Sequence, residues 1–346
     1  MTSDERRRIV EAVDRGDLDE LVRQVDGLCA ARDWEGVVLL RDRCRHALEE
    51  RGLQLWPAAE YAEYRLALEA PGPYAGAVVV EGAGRFALGP LWEVAASSHG
   101  WNELAEHVPE GPARAMTAHE RVVRGEELGA DPLLDSTVLE LPFRLEPWEP
   151  RYPPAIYRAD TADFPTPSRP GFAPLSLGSP GEPVDDEESL DALRDLGRVW
   201  AEQSNGTLQV AAVDGGIESA IAALTDGDVS AAEIDGTTAM AWMAWAGASG
   251  GAYGRRRGTP AGRFAAWWAA ATLAGLSWPV EPEELGRAIG EMRWVLWQPA
   301  GEQAGWRLHI AAASDREGMA WAISAVDSHR EDDPLAADRP GPFADG

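Results

Sequence analysis

The stretch Thr207-Leu208-Gln209-Val210-Ala211-Ala212-Val213, followed by Ile217–Leu224 and then Val229-Ser230-Ala231-Ala232-Glu233-Ile234, decides the fold class. Its outer runs are short and apolar and read as strands; the middle run reads as a helix. A further helix is expected just upstream, at Leu190–Gln203. Near the C-terminal end, Arg293–Trp297 and Trp306–Ala312 read as a strand pair, with a helix expected at Glu317–Ala325. Leu308-His309-Ile310-Ala311-Ala312 echoes Leu208-Gln209-Val210-Ala211-Ala212, which either a duplicated strand-helix unit or Ala-rich chance would explain.

Upstream the pattern differs. From Ser3 to about Asp131 the apolar residues recur at helical spacing: Leu18, Leu21, Val22, Val25 and Leu28, then Val37, Leu40, Cys44 and Leu48. Asp17 and Asp33 stand where N-caps belong. Further helices are expected at Ala58–Glu69, Tyr74–Ala83, Leu91–Ser98, Trp101–His107 and Ala113–Glu127, as stacked hairpins resembling an α-solenoid but without a strict repeat. Glu146–Glu188 holds ten prolines and reads as a linker or extended arm, strapped down by Trp148, Tyr152, Tyr157, Phe164 and Phe172. The expected class is α+β: an all-helical domain (1–145), a Pro-rich arm (146–189), a mixed α/β domain (190–330) and a disordered acidic tail (331–346).

Composition bounds the function. The 346 residues carry 31 basic against 58 acidic side chains, a formal charge of -27. Such a charge repels phosphate backbones and anionic membranes, so nucleic-acid and membrane binding are disfavoured. Residues 1–145 contribute -11 of it, with 16 arginines against 27 acids, which makes the helical domain the expected docking face for a basic protein partner. The N-terminus lacks a leader pattern and no apolar run is long enough to span a membrane, so a cytoplasmic location is expected. Cys29 and Cys44 are too few for a disulfide framework or a four-ligand zinc site. Every cation is an arginine. A GC-rich genome accounts for that; selection against lysine-directed conjugation is the alternative.

Gly236–Val280 contains no acidic residue, and its only charges are Arg255, Arg256, Arg257 and Arg263. Ala239–Ala246 and Pro260–Leu276 read as core helices, the second entered through Thr259 as N-cap. The glycine-rich, basic loop between them suits an anion, with Arg255, Arg256, Arg257, Thr259 and Arg263 as its candidate site. The competing reading has these arginines bracing the protein's own carboxylates. Gly247-Ala248-Ser249-Gly250-Gly251 matches the form of a nucleophile elbow, but a helix precedes it and a loop follows, and Asp315 or Asp327 with His329 are only chance partners. No catalytic residue, cofactor or metal site is therefore assigned. His119, Glu120 and Arg124 form a second candidate, a polar helix patch, against the ordinary reading of a solvated face with helical charge pairs. The fifteen tryptophans read mainly as packing, with sugar or partner binding as the alternative.

Gly84-Arg85-Phe86-Ala87-Leu88-Gly89-Pro90, Ala118-His119-Glu120-Arg121-Val122-Val123-Arg124-Gly125 and the Gly247–Arg263 loop resemble stretches of uncharacterised proteins of high-GC actinobacteria. The resemblance implies a family without assigned function and carries over no catalytic residue. The leading expectation is a protein-interaction or regulatory role. The alternative is an enzyme or sensor that takes a phosphorylated or carboxylated small molecule at the 247–263 loop.

Overall fold

The structure, a computed structural model, describes residues 3–129, 131–301 and 304–330. The expected disordered tail lies outside these residues. The chain divides into two compact units, of which the first comprises residues 1–138 and 155–163 and the second the remainder. The expected arm is therefore shared out, not free: residues 139–154 and those from 164 onward fold with the second unit.

The first unit contains α1 (Ser3–Arg15), α2 (Leu18–Ala30), α3 (Trp34–Arg51), α4 (Trp56–Glu69), α5 (Gly72–Ala77), α6 (Leu91–Ser98), α7 (Trp101–Leu104) and α8 (Pro112–Val123). Asp17 and Asp33 cap α2 and α3, accepting from Glu20 N and Gly36 N. Three of the expected helices end early, at Ala77, Leu104 and Val123. Helix α3 buries Ala47 and leaves Leu48 exposed. Helix α4 is buried along nearly its whole length, from Ala58 to Leu68, because α2, α3, α5 and α6 pack around it. A small hairpin, β1 (Ile156–Tyr157) with β2 (Ala162–Asp163), closes the unit. The Tyr157 hydroxyl donates to buried Glu93 at 2.7 Å. Gly89 lies so near the Tyr157 ring that a Cβ there would fall 1.9 Å from the hydroxyl oxygen.

The second unit contains β3 (Ala173–Leu175), α9 (Glu187–Gln203), β4 (Thr207–Asp214), α10 (Ile217–Ala222), β5 (Val229–Ile234), α11 (Gly236–Ala248), α12 (Thr259–Leu273), α13 (Pro282–Glu291), β6 (Arg293–Pro299), β7 (Trp306–Ser314) and β8 (Met319–Asp327). Its sheet has the order β3-β5-β6-β7-β8-β4, and every pair in it is antiparallel. Side chains alternate across a strand. Leu208 and Ala325 therefore face α9, while Ala311, Ala313, Ala320 and Ala322 face α10 on the opposite side.

The expected helix at Glu317–Ala325 is instead strand β8. Alanine suits a helix by intrinsic propensity, but here Trp321, Ile323 and Val326 interrupt the alanines, and Gly318 (φ +68°) makes the turn that folds β8 back onto β7. Tertiary pairing on both sides overrides the propensity. The internal echo acquires a geometric meaning. β4 and β7 flank β8 in one register, so that Leu208 and Leu308 both stand opposite Ala325, and Ala212 and Ala312 both opposite Trp321.

Helices α11 and α12 approach closely through glycine. A Cβ at Gly262 would lie 2.0 Å from the Ala244 carbonyl oxygen and 2.8 Å from the Ala248 Cβ. Gly262→Ala is therefore expected to cost about 2 kcal/mol or more by forcing the two helices apart, read as a lowered urea midpoint. An unchanged midpoint would contradict this packing.

Candidate functional site

The loop between α11 and α12 is held from within. Four of its backbone donors are taken by the chain itself: Gly251 N by Ser249 Oγ (3.1 Å), Ala252 N by buried Asp327 Oδ2 (2.6 Å), Tyr253 N by Ser204 Oγ (3.0 Å) and Arg257 N by the Ala248 carbonyl (2.9 Å). The glycines serve close approach. A Cβ on Gly250 would meet the Gly254 carbonyl oxygen at 2.2 Å, and one on Gly251 (φ +68°) would meet Asp327 Oδ2 at 2.1 Å. A cradle for an anion needs donors turned outward; these are turned inward. Ser249 is itself buried and directly follows helix α11, as the sequence implied.

The four arginines go to different partners. Arg257 Nη1 donates to Asp195, to Oδ2 at 3.0 Å and to the main-chain oxygen at 3.1 Å. The Arg256 guanidinium lies 4.6 Å from the Phe164 ring centre and donates to Thr259 Oγ1 at 3.2 Å. The space around Arg256, Tyr152, Phe164 and Trp245 is about 10 Å³, room for a single water at most. Thr259 is the first residue of α12, whose N-cap is Gly258 (φ +88°), so it is not the capping residue. Arg255 alone of the four is exposed.

Arg263 is completely buried. Its Nε and Nη2 donate to Glu149 Oε2 (2.8 Å) and Oε1 (2.7 Å) as a bidentate fork; Nη1 donates to the Pro142 carbonyl (3.0 Å) and Nη2 also to that of Arg144 (2.9 Å). Glu149 is as fully engaged. It also accepts from Trp267 Nε1 (2.9 Å), Tyr152 Oη (2.7 Å) and Glu146 N (2.9 Å). Burial pushes the Glu149 carboxyl pKa up, but the Arg263 charge and these hydrogen bonds outweigh it and hold the group below its ordinary value. The arrangement can hold a segment in place; it has no vacancy for a ligand. Glu149 went unread because it lies in the presumed linker, although an arginine in an acid-free stretch of core sequence must find its carboxylate elsewhere.

The second candidate is also internal. His119 and Glu120 are fully buried, and Arg124 donates from Nε to Glu120 Oε1 (2.8 Å) and from Nη2 to the Ala155 carbonyl (2.7 Å). What reads as a polar helix patch is a buried ion pair that ties α8 to the start of the β1–β2 hairpin. No group of three or more metal-ligating side chains occurs among the described residues.

A family model matches residues 19–329, nearly the whole described chain. The protein belongs to DUF6183, a family of unknown function. No curated protein and no solved structure matches it. For this DUF6183 protein, the chemistry must be argued from its own side chains.

The buried pair makes a sharp prediction. Glu149→Gln leaves a buried guanidinium without its counter-charge, which costs about 3–5 kcal/mol. Because the folded-state pKa of Glu149 lies below its ordinary 4.5, the wild-type pair contributes fully above about pH 4.5 and fades as pH falls through the folded value. Chemical denaturation from pH 7 to pH 3 should show this acid loss in the wild type and a shallower dependence in Glu149→Gln. Equal stability of the two at pH 7 would show that the pair does not carry the load.

Proposed function

We propose that this protein is a non-catalytic interaction or regulatory protein of the cytoplasm whose helical unit docks a partner with a basic surface. The observation that carries this reading is an exposed aromatic pair. Trp56 and Phe86 stand 38% and 64% exposed with ring centres 4.5 Å apart, and the Arg85 guanidinium lies 5.8 Å from the Phe86 ring. Paired aromatics left in water favour a partner's apolar contact. Among the described residues, seven of the nine large exposed apolar side chains belong to this unit: Val10, Leu48, Trp56, Val80, Phe86, Leu133 and Ile156.

Charge supports the same direction. Glu60 accepts from Phe86 N at 2.7 Å beside the pair, in a region of formal charge -11, so a basic rim around an apolar contact is the complementary surface. No helix of the described residues is long and apolar enough to cross a membrane. The alternative, an anionic small molecule at the 247–263 loop, is disfavoured by the internal carboxylates that engage Arg257 and Arg263.

The test is cross-linking in the protein's native cells, followed by purification of the tagged chain. A basic partner should be recovered with the wild type and lost with Phe86→Asp, while the melting temperature stays unchanged because the side chain is exposed. Equal recovery with Phe86→Asp, or duplex DNA as the captured species, would overturn the proposal.

A further inference from the structure

A cleft of about 500 Å³ opens in the helical unit, lined by Cys29, Arg32, Trp34, Glu69, Pro71, His99 and Glu103. Five chain segments meet there: the end of α2, the turn into α3, the end of α4 with the turn into α5, the end of α6, and α7. Most of its polar groups are already engaged. Glu69 accepts from Arg65 through both oxygens (2.7 and 3.2 Å), and Arg65 is bound in turn to Asp26 and Tyr61. Glu103 Oε1 accepts from Gly72 N at 3.1 Å and lies 3.2 Å from His99 Nδ1. Burial pushes the Cys29 thiol up to about 11, so it is a neutral wall and not a nucleophile.

Three groups remain. Arg32 is exposed at the rim and makes no ion pair among the described residues. Trp34 is half-buried and offers an indole face. His99 is more than nine-tenths buried, and its Nε2 has no hydrogen-bond partner among the described residues. That nitrogen is closed to solvent, so the ring serves as a wall of the cleft.

We infer that this cleft binds a small planar organic anion: a ring that stacks on Trp34 and an anionic group held by Arg32, with the His99 ring as part of the wall. Of the two carboxylates that line the cleft, Glu69 is paired with Arg65 and Glu103 accepts from Gly72 N, so they do not repel such a ligand as free acids would. This site is separate from the Trp56–Phe86 pair, and either reading can fail without the other.

The backbone supplies a clean variant. Arg32 sits at φ +55°, a conformation that favours glycine, so Arg32→Gly removes the guanidinium without strain. The full chain is titrated with adenosine 5′-monophosphate, 4-hydroxybenzoate and inorganic phosphate, with tryptophan fluorescence and melting temperature as readouts. At least one ring compound should bind saturably. Arg32→Gly should weaken it roughly tenfold or more with the melting temperature kept or raised. Binding of the nucleotide alone assigns a phosphate ester as the anion; binding of the benzoate alone assigns a carboxylate. The proposal is overturned if neither ring compound binds, if inorganic phosphate binds as well as they do, or if Arg32→Gly binds unchanged.

Discussion

The pairing of Arg263 with Glu149 is the constraint on which the second unit depends. A guanidinium without solvent exposure is tolerable only if a counter-charge and enough acceptors meet it. Helix α12 brings the cation into a run of sequence with no carboxylate of its own. The partner therefore comes from 114 residues upstream, carried by a segment that would otherwise lack any regular structure. Pro142, Arg144, Glu146, Glu149 and Tyr152 are fixed together by that one demand, because each hydrogen-bonds to Arg263 or to Glu149.

Close packing of helices follows from small residues. Gly262 lets α11 and α12 touch, and Trp267 of α12 is buried beside the Arg263–Glu149 pair. In the loop joining the helices, Ser249, Asp327, Ser204 and the Ala248 carbonyl take backbone donors that an anion would need. A basic, glycine-rich loop reads the same in sequence whether its donors turn out or in. Only the positions of distant acceptors decide, and no local pattern encodes them.

Much of the fold was legible. The caps at Asp17 and Asp33 and the strands at 207–213 and 229–234 follow from local chemistry that tertiary structure leaves undisturbed. β8 was not legible, because its alanines carry a helical propensity that pairing with β4 and β7 overrides. The candidate site was only half legible. The arginines stand out because they are the sole charges of their region, but Glu149 sits among prolines that conceal its role. His119, Glu120 and Arg124 follow the spacing of a solvated helix face; the packing of α8 on α6 and the reach of Arg124 to the Ala155 carbonyl are not encoded in that spacing. The cleft at Arg32, Trp34 and His99 assembles from five separate segments and has no motif at all.

In the second unit Arg257 and Arg263 are spent on Asp195 and Glu149, whereas the helical unit leaves the Trp56–Phe86 pair in water. The proposed recognition chemistry lies in the helical unit, where Trp56 and Phe86 stand exposed. The central structural claim is that Arg263 straps residues 142–152 to α12. Hydrogen exchange over those residues, compared between the wild type and Arg263→Leu, tests it most directly. The account predicts slow exchange in the wild type and fast exchange in the variant, with the β7–β8 hairpin still protected in both. Free exchange of 142–152 in the wild type, or protection that survives the loss of the guanidinium, would contradict it.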